Sequence, residues 1–171
     1  NPQITFFKVV YRRHTNFAVE AIEQTFNGAA DFGQKFSCTI SRNGDLLSRV
    51  YLEVDVTINL KDNADSDANN GMDASTRYGF DIINHVEVEI GGQCIDKHYG
   101  DWMNIWTDLT HGVDAESMLE DMVGLDSVTA TGSAGDLDGS KKLYIPLQFW
   151  FCRNPGLALP LIALQYHEVK L

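Results

Sequence analysis

From Leu52 to Leu60 the apolar residues fall on every second position: Leu52, Val54, Val56, Ile58 and Leu60 alternate with Glu53, Asp55, Thr57 and Asn59. Successive side chains of a strand point to opposite faces, so this alternation calls for an antiparallel sheet with one face buried and the other wet. Upstream lies the strand-like Phe36-Ser37-Cys38-Thr39-Ile40, and Asn43-Gly44 sits between the two. Asn-Gly favours the positive φ angles of a tight turn, so the two segments are expected to pair as a hairpin. On that reading Gly44→Val costs about 1 kcal/mol or more, because a β-branched residue tolerates positive φ poorly.

A second hairpin is expected where Val86, Val88 and Ile90 alternate with Glu87 and Glu89 and Gly91-Gly92 turns the chain into Cys94–Tyr99. A late strand follows, with Leu143, Ile145, Leu147, Phe149 and Phe151 on one face and Tyr144, Gln148 and Trp150 on the other. Pro146 lacks an amide donor, which places that strand at an edge or a bulge.

Two helices are expected inside one excursion from Gly100 to Lys142. Trp102, Ile105, Trp106 and Leu109 recur at helical spacing, with Asp101 as N-cap and Gly112 as terminator. Met118, Leu119, Met122 and Val123 form the next stripe, between Asp114 and Gly124. The stretch Thr129–Lys141, rich in Gly, Ser, Thr and Asp, reads as an exposed loop. From Phe17 to Phe26 the pattern fits either element: Ala18, Ile22 and Phe26 would line a helix, Phe17, Val19 and Ala21 a strand. At least six mostly antiparallel strands, with helices confined to a connection, describe an all-β sandwich.

Composition narrows function. At 171 residues the chain fits a single domain spanning 1–171, able to bury roughly 70% of its unfolded surface. The net charge of −11 repels phosphate backbones, so no direct nucleic-acid partner is expected. The acid concentrates in Asp62–Asp73 and Asp101–Asp138, both read as solvated loops or helix faces. Cys38, Cys94 and Cys152 are three thiols without C-x-x-C spacing, read as free, mostly buried thiols of a reducing compartment. No Asn-x-Ser/Thr sequon occurs. The last residues, Val169-Lys170-Leu171, continue an alternating stretch, as in a domain excised from a longer chain.

No catalytic, cofactor or metal constellation emerges, so the chain is read as no enzyme. His14, His85, His98, His111 and His167 form neither H-x-H nor H-E-x-x-H; His85 and His98 lie on neighbouring strands, where packing roles outnumber ligand roles. Asp65-Ser66-Asp67-Ala68-Asn69-Asn70-Gly71 imitates an EF-hand loop, but Gly falls one position late and Thr76 stands where the bidentate glutamate belongs. Gly132-Ser133-Ala134-Gly135 is one residue short of a nucleophile elbow, and Gly135–Lys141 misses the phosphate-loop spacing.

Longer strings carry a resemblance. Asn1-Pro2-Gln3-Ile4-Thr5-Phe6-Phe7-Lys8, running on through Val9-Val10-Tyr11-Arg12-Arg13-His14-Thr15-Asn16-Phe17-Ala18, resembles the start of the major capsid proteins of nucleocytoplasmic large DNA viruses, above all the phycodnavirus and mimivirus-like branch. Cys38-Thr39-Ile40-Ser41-Arg42-Asn43-Gly44-Asp45-Leu46 is similar to that family's early hairpin. So is the late segment Leu143-Tyr144-Ile145-Pro146-Leu147-Gln148-Phe149-Trp150-Phe151, with Asn154-Pro155-Gly156-Leu157-Ala158-Leu159-Pro160 behind it.

The resemblance implies an eight-stranded antiparallel jelly-roll β-sandwich, the N-terminal half of a double jelly roll, with Phe17–Phe26 as its first strand. It implies homotrimers that form pseudo-hexagonal capsomers of an icosahedral virion capsid, made in the host cytoplasm. The partners it implies are neighbouring capsomers, a second jelly roll, minor capsid proteins and a nearby inner membrane that is not spanned. The loops Lys61–Gly79 and Gly100–Lys142 would be the outward connections. Trp102, Ile105, Trp106, Met118 and Met122 then become candidate inter-domain or subunit contacts, against the plainer reading that the helices only cover the sandwich. The rival functions are a carbohydrate-binding β-sandwich using Trp102, Trp106 and Trp150, and a cupin-type enzyme, which would need a histidine-rich metal motif.

Overall fold

The computed structural model describes residues 16–60, 76–125 and 137–171. It is mostly β, with a few helices. The longest ladder joins β4 (Tyr51–Leu60) to β7 (Leu137–Pro146), antiparallel, from Tyr51↔Pro146 through to Leu60↔Leu137. Directly opposed residues share a face. Leu52 lies against Ile145 and Val54 against Leu143 on the core side, while Glu53 faces Tyr144 and Asp55 faces Lys142 on the wet side. On that outer face the Lys142 ammonium pairs with Glu53 and lies 3.6 Å from Asp55.

The second sheet is ordered β6 (Gln93–Tyr99), β5 (His85–Ile90), β9 (Val169–Lys170). β5 and β6 form the expected hairpin, and the turn glycines have φ of 62° at Gly91 and 82° at Gly92. Two successive positive angles match the right-handed twist of the flanking strands. A bulge interrupts the pair: Val88 faces Asp96, Glu89 faces Cys94, and Ile95 is left over and exposed. Beyond β9 the bonding continues. Cys38 exchanges N–H···O bonds of 2.8 and 2.9 Å with Leu171, and the Ile40 N–H donates to Val169 O at 2.9 Å. Among the described residues two short pairs complete the β structure, β1 (Phe26–Asn27) with β2 (Ser37–Cys38) and β3 (Leu46–Leu47) with β8 (Leu159–Pro160).

Helices α1 (Tyr78–Asp81), α2 (Gly100–Thr110), α3 (Val113–Val123) and α4 (Trp150–Arg153) pack around this frame. One core cluster draws Val56, Leu143 and Ile145 from the long ladder, Val88 and Val169 from the other sheet, and Phe80, Met103, Leu119 and Val123 from the helices. Phe149 and Phe151, both fully buried within it, stack with ring centroids 5.5 Å apart. Full burial of side chains of this size is worth about 1.5–3 kcal/mol each.

Several expectations are corrected. The segment around Cys38 does not pair with Leu52–Leu60; β4 takes the distant β7 instead, and β2 lies between β1 and the end of the chain. Gly44 has no positive φ, so Asn43-Gly44 is an open connection that leads into β3. Residues 16–25 form neither a helix nor a continuous first strand, since pairing starts only at Phe26. The late strand stops at Pro146, which cannot donate to the ladder, and Trp150–Arg153 coils into α4. The predicted alternation survives that change: Leu143, Ile145, Leu147, Phe149 and Phe151 are all buried. Leu137–Lys141, expected as loop, is strand. Cys94 is exposed, whereas Cys38 is buried and Cys152 partly so. The EF-hand-like run, the Gly132–Gly135 motif and the first fifteen residues lie outside the described residues.

Candidate functional site: the outer face of helix α2

α2 packs the side opposite its predicted apolar stripe against the core. Its inward positions are Gly100, Met103 and Thr107, spaced three and four apart along one face. Gly100 permits this packing: a Cβ built there would stand 2.2 Å from Phe80 O and 2.6 Å from Ile83 O. Thr107 is buried without penalty because its Oγ1 donates to Met103 O at 2.9 Å. With that face inward, the apolar stripe turns out. Trp102 is 36% exposed, Ile105 51% and Leu109 74%, and Trp106 is half-buried. Asp101 lies in the first turn and is not the N-cap, which is Tyr99.

Trp102 and Trp106 meet with ring centroids 5.7 Å apart. From α4 the Arg153 guanidinium lies over Trp106, 4.4 Å from the ring centroid, in cation–π geometry. On α3, Leu119 and Val123 point to the core, Met122 packs half-buried against it, and Met118 projects outward at 71% exposure. Of the five candidate contacts, the structure thus brings Trp102, Ile105 and Trp106 onto one face, leaves Met118 outward on the next helix, and gives Met122 partly to the core.

Arg77, at the N-terminus of α1, fixes these helices relative to each other. Its guanidinium meets Asp108 of α2 at 2.6 Å, Glu116 of α3, and Glu120 of α3 at 3.6 Å. Neither Arg77 nor Arg153 was singled out by the sequence reading. Their partners lie 31 to 47 positions away, beyond any local pattern.

The rival chemistries find little to build on. One face of Trp106 is covered by Arg153, and Trp150 packs edge-on against Phe151 at 5.1 Å, so the two rings do not form an open sugar platform. His85 and His98 are on adjacent strands but have separate partners: His85 meets Glu87 at 2.9 Å, while His98 is buried beside Phe149. Among the described residues no group of three His, Cys, Asp or Glu is disposed to hold a metal.

The comparisons with known proteins decide the family. The profile described as "Major capsid protein N-terminus" matches residues 5–171. The chain belongs to that family. It is 58% identical, over all of its length, to a major capsid protein of Pyramimonas orientalis virus, of which it spans 41%. It is 46% identical to the major capsid protein of Paramecium bursaria Chlorella virus 1, of which it spans 36%. Among solved structures it matches a chain of the quasi-atomic PBCV-1 virus capsid, with a TM-score of 0.69 and 42% identity over 97% of this chain and 36% of that one. The chain therefore spans well under half the length of these capsid relatives.

Proposed function

We propose that this chain is the N-terminal part of a structural capsid subunit and has no enzymatic role. The observation that supports this best is the agreement of sequence and fold over nearly the whole chain with a virus-capsid protein. On this reading residues 1–171 form the first, eight-stranded jelly roll of a double jelly roll. Three subunits build a pseudo-hexagonal capsomer, and capsomers tile an icosahedral shell assembled in the host cytoplasm. Neighbouring capsomers and minor capsid proteins are its partners, with a membrane beneath that it does not cross. Physical features favour a shell component. A continuous core braces both ladders, and the bulged edge strand β6 carries charge at Lys97, which discourages edge-to-edge aggregation. Trp102, Ile105, Trp106, Met118 and Met122 are the proposed contact residues.

Electron microscopy of the full-length protein tests this reading. Trimeric particles with a hexagonal outline are expected. A monodisperse monomer that binds glycans on an array would overturn the capsid reading in favour of the lectin-like one.

A further inference from the structure

The sequence contains three Asn-Gly pairs, Asn27-Gly28, Asn43-Gly44 and Asn70-Gly71, and the last lies outside the described residues. In such a pair the chain can attack itself. The backbone nitrogen of the glycine reaches the side-chain amide carbon of the asparagine, and no Cβ on the glycine obstructs the approach. Closing that five-membered ring needs two freedoms. The asparagine ψ must turn the next nitrogen toward the asparagine Cβ, and neither amide can be held elsewhere. The extended ψ of a paired strand points that nitrogen away.

The two described pairs differ in both respects, although both asparagines are exposed. Asn27 ends strand β1, opposite Ser37, and its Nδ2 donates to Thr39 Oγ1 at 3.3 Å. Asn43-Gly44 belongs to no strand. Among the described residues neither the Asn43 side chain nor the Gly44 N–H has a hydrogen-bond partner, and nothing stands within 4 Å of a Cβ built on Gly44. The chain on either side is anchored. Arg42 donates to the carbonyls of Leu164 and His167, each at 3.0 Å, and Asp45 O accepts from the Leu161 N–H at 2.9 Å. Slack is thus confined to two residues between fixed points, and the ring can close there without unfolding of the domain.

We propose that Asn43 is a site of spontaneous modification in the folded protein. The Gly44 nitrogen loses its proton and bonds to Asn43 Cγ. The Cγ–Nδ2 bond breaks, the leaving nitrogen takes up that proton, and ammonia departs from a cyclic imide. One water then adds to either imide carbonyl and cleaves its bond to the ring nitrogen, giving aspartate or isoaspartate at position 43. The net change converts amide and water to carboxylic acid and ammonia, with no oxidant or cofactor. The product places a new carboxylate between Arg42 and Asp45, and the isoaspartate form also lengthens the main chain between the two anchors.

The test ages the full-length protein in native buffer and in denaturant and follows each asparagine by peptide mapping with mass spectrometry. In native buffer Asn43 should convert at least about tenfold faster than Asn27, which corresponds to about 1.4 kcal/mol of restraint at the paired strand. In denaturant the two rates should come together, because both asparagines precede glycine. Aspartate and isoaspartate should appear together at position 43, and faster in mildly alkaline buffer, since the nitrogen attacks only after losing its proton. Gly44→Val should slow the native conversion by about tenfold or more, because a β-branched side chain crowds the attacking nitrogen. Native conversion at Asn43 no faster than at Asn27, or a valine variant that converts at the parent's rate, would overturn the proposal. Aspartate without isoaspartate would mean direct hydrolysis of the side-chain amide and would overturn it as well. The space around Gly44 is open, so the valine variant should keep the parent's melting temperature and report on the chemistry alone.

Discussion

The backbone N–H of Gln148 donates to Nε2 of His98 at 3.4 Å, which makes this buried ring an acceptor. The proton of the neutral imidazole is therefore on Nδ1, which is buried and has no hydrogen-bond partner among the described residues. Protonation would place two donors face to face and put charge beside Phe149, whose ring meets the imidazole edge-on at 4.7 Å. Burial pushes the His98 pKa below its ordinary 6.5; Asp96 on the same strand opposes the shift and Arg153 reinforces it. The unfolded chain then binds the proton more readily than the folded one, so stability rises with pH through this window. The His98 contribution should be fully present above about pH 6.5 and decline as pH falls toward the lower folded value. Thermal melts from pH 7.5 to 5 should show this loss, and His98→Leu should flatten the slope. An equal slope in that variant would assign the effect to other groups.

Gly92 and Gly44 form a controlled pair, since a Cβ would meet nothing within 4 Å at either position. Only Gly92, at φ 82°, needs the left-handed region. Gly92→Val should cost about 1–3 kcal/mol through backbone strain alone. Gly44→Val should stay within about 0.5 kcal/mol of the parent, contrary to the expectation drawn from the Asn-Gly pair. Chemical denaturation of both variants checks this, and equal losses would show that strain is not the cause.

Features that were legible in the sequence depend on neighbours. The hairpin over Gly91-Gly92 was readable because its alternation and both turn glycines lie within fifteen residues. Leu52–Leu60 was readable as a strand with one wet face, but its partner was not. Leu137–Pro146 lies some eighty positions on, and its first half is the polar Leu137-Asp138-Gly139-Ser140-Lys141, which reads as loop until paired. Long-range pairing overrode the local turn signal at Asn43-Gly44. The candidate face was legible as a stripe but its direction was not. Apolar periodicity identifies Trp102, Ile105, Trp106 and Leu109 as one side of a helix, yet close approach at Gly100 and the self-bonded Thr107 decide which side goes in. An inward apolar stripe is only the usual outcome.

The three thiols should react at two rates. Cys94 is exposed, while burial raises the pKa of Cys38 and of Cys152, the latter tempered by hydrogen bonds from Val50 and Phe149. Because the thiolate is the nucleophile, both environment and access slow Cys38 and Cys152. Native labelling at neutral pH should modify one thiol of this region quickly and the other two only on unfolding. Peptide mapping should place the fast site at Cys94, and Cys94→Ser should abolish the fast phase.

Arg77 carries the last prediction. Its side chain is 16% exposed and bridges three carboxylates on two helices, Asp108 on one and Glu116 and Glu120 on the other. Removing the guanidinium leaves those acids close together without their shared counter-charge, an added penalty that an exposed isolated pair would lack. Arg77→Met, which keeps most of the stem, should therefore destabilise by roughly 1–3 kcal/mol. Arg77→Lys should recover only part of that, because one ammonium cannot reproduce the forked geometry. Denaturant titrations of parent, Lys and Met chains at pH 7 read both effects. A methionine variant as stable as its parent at pH 7 would show that packing alone positions α2 and α3.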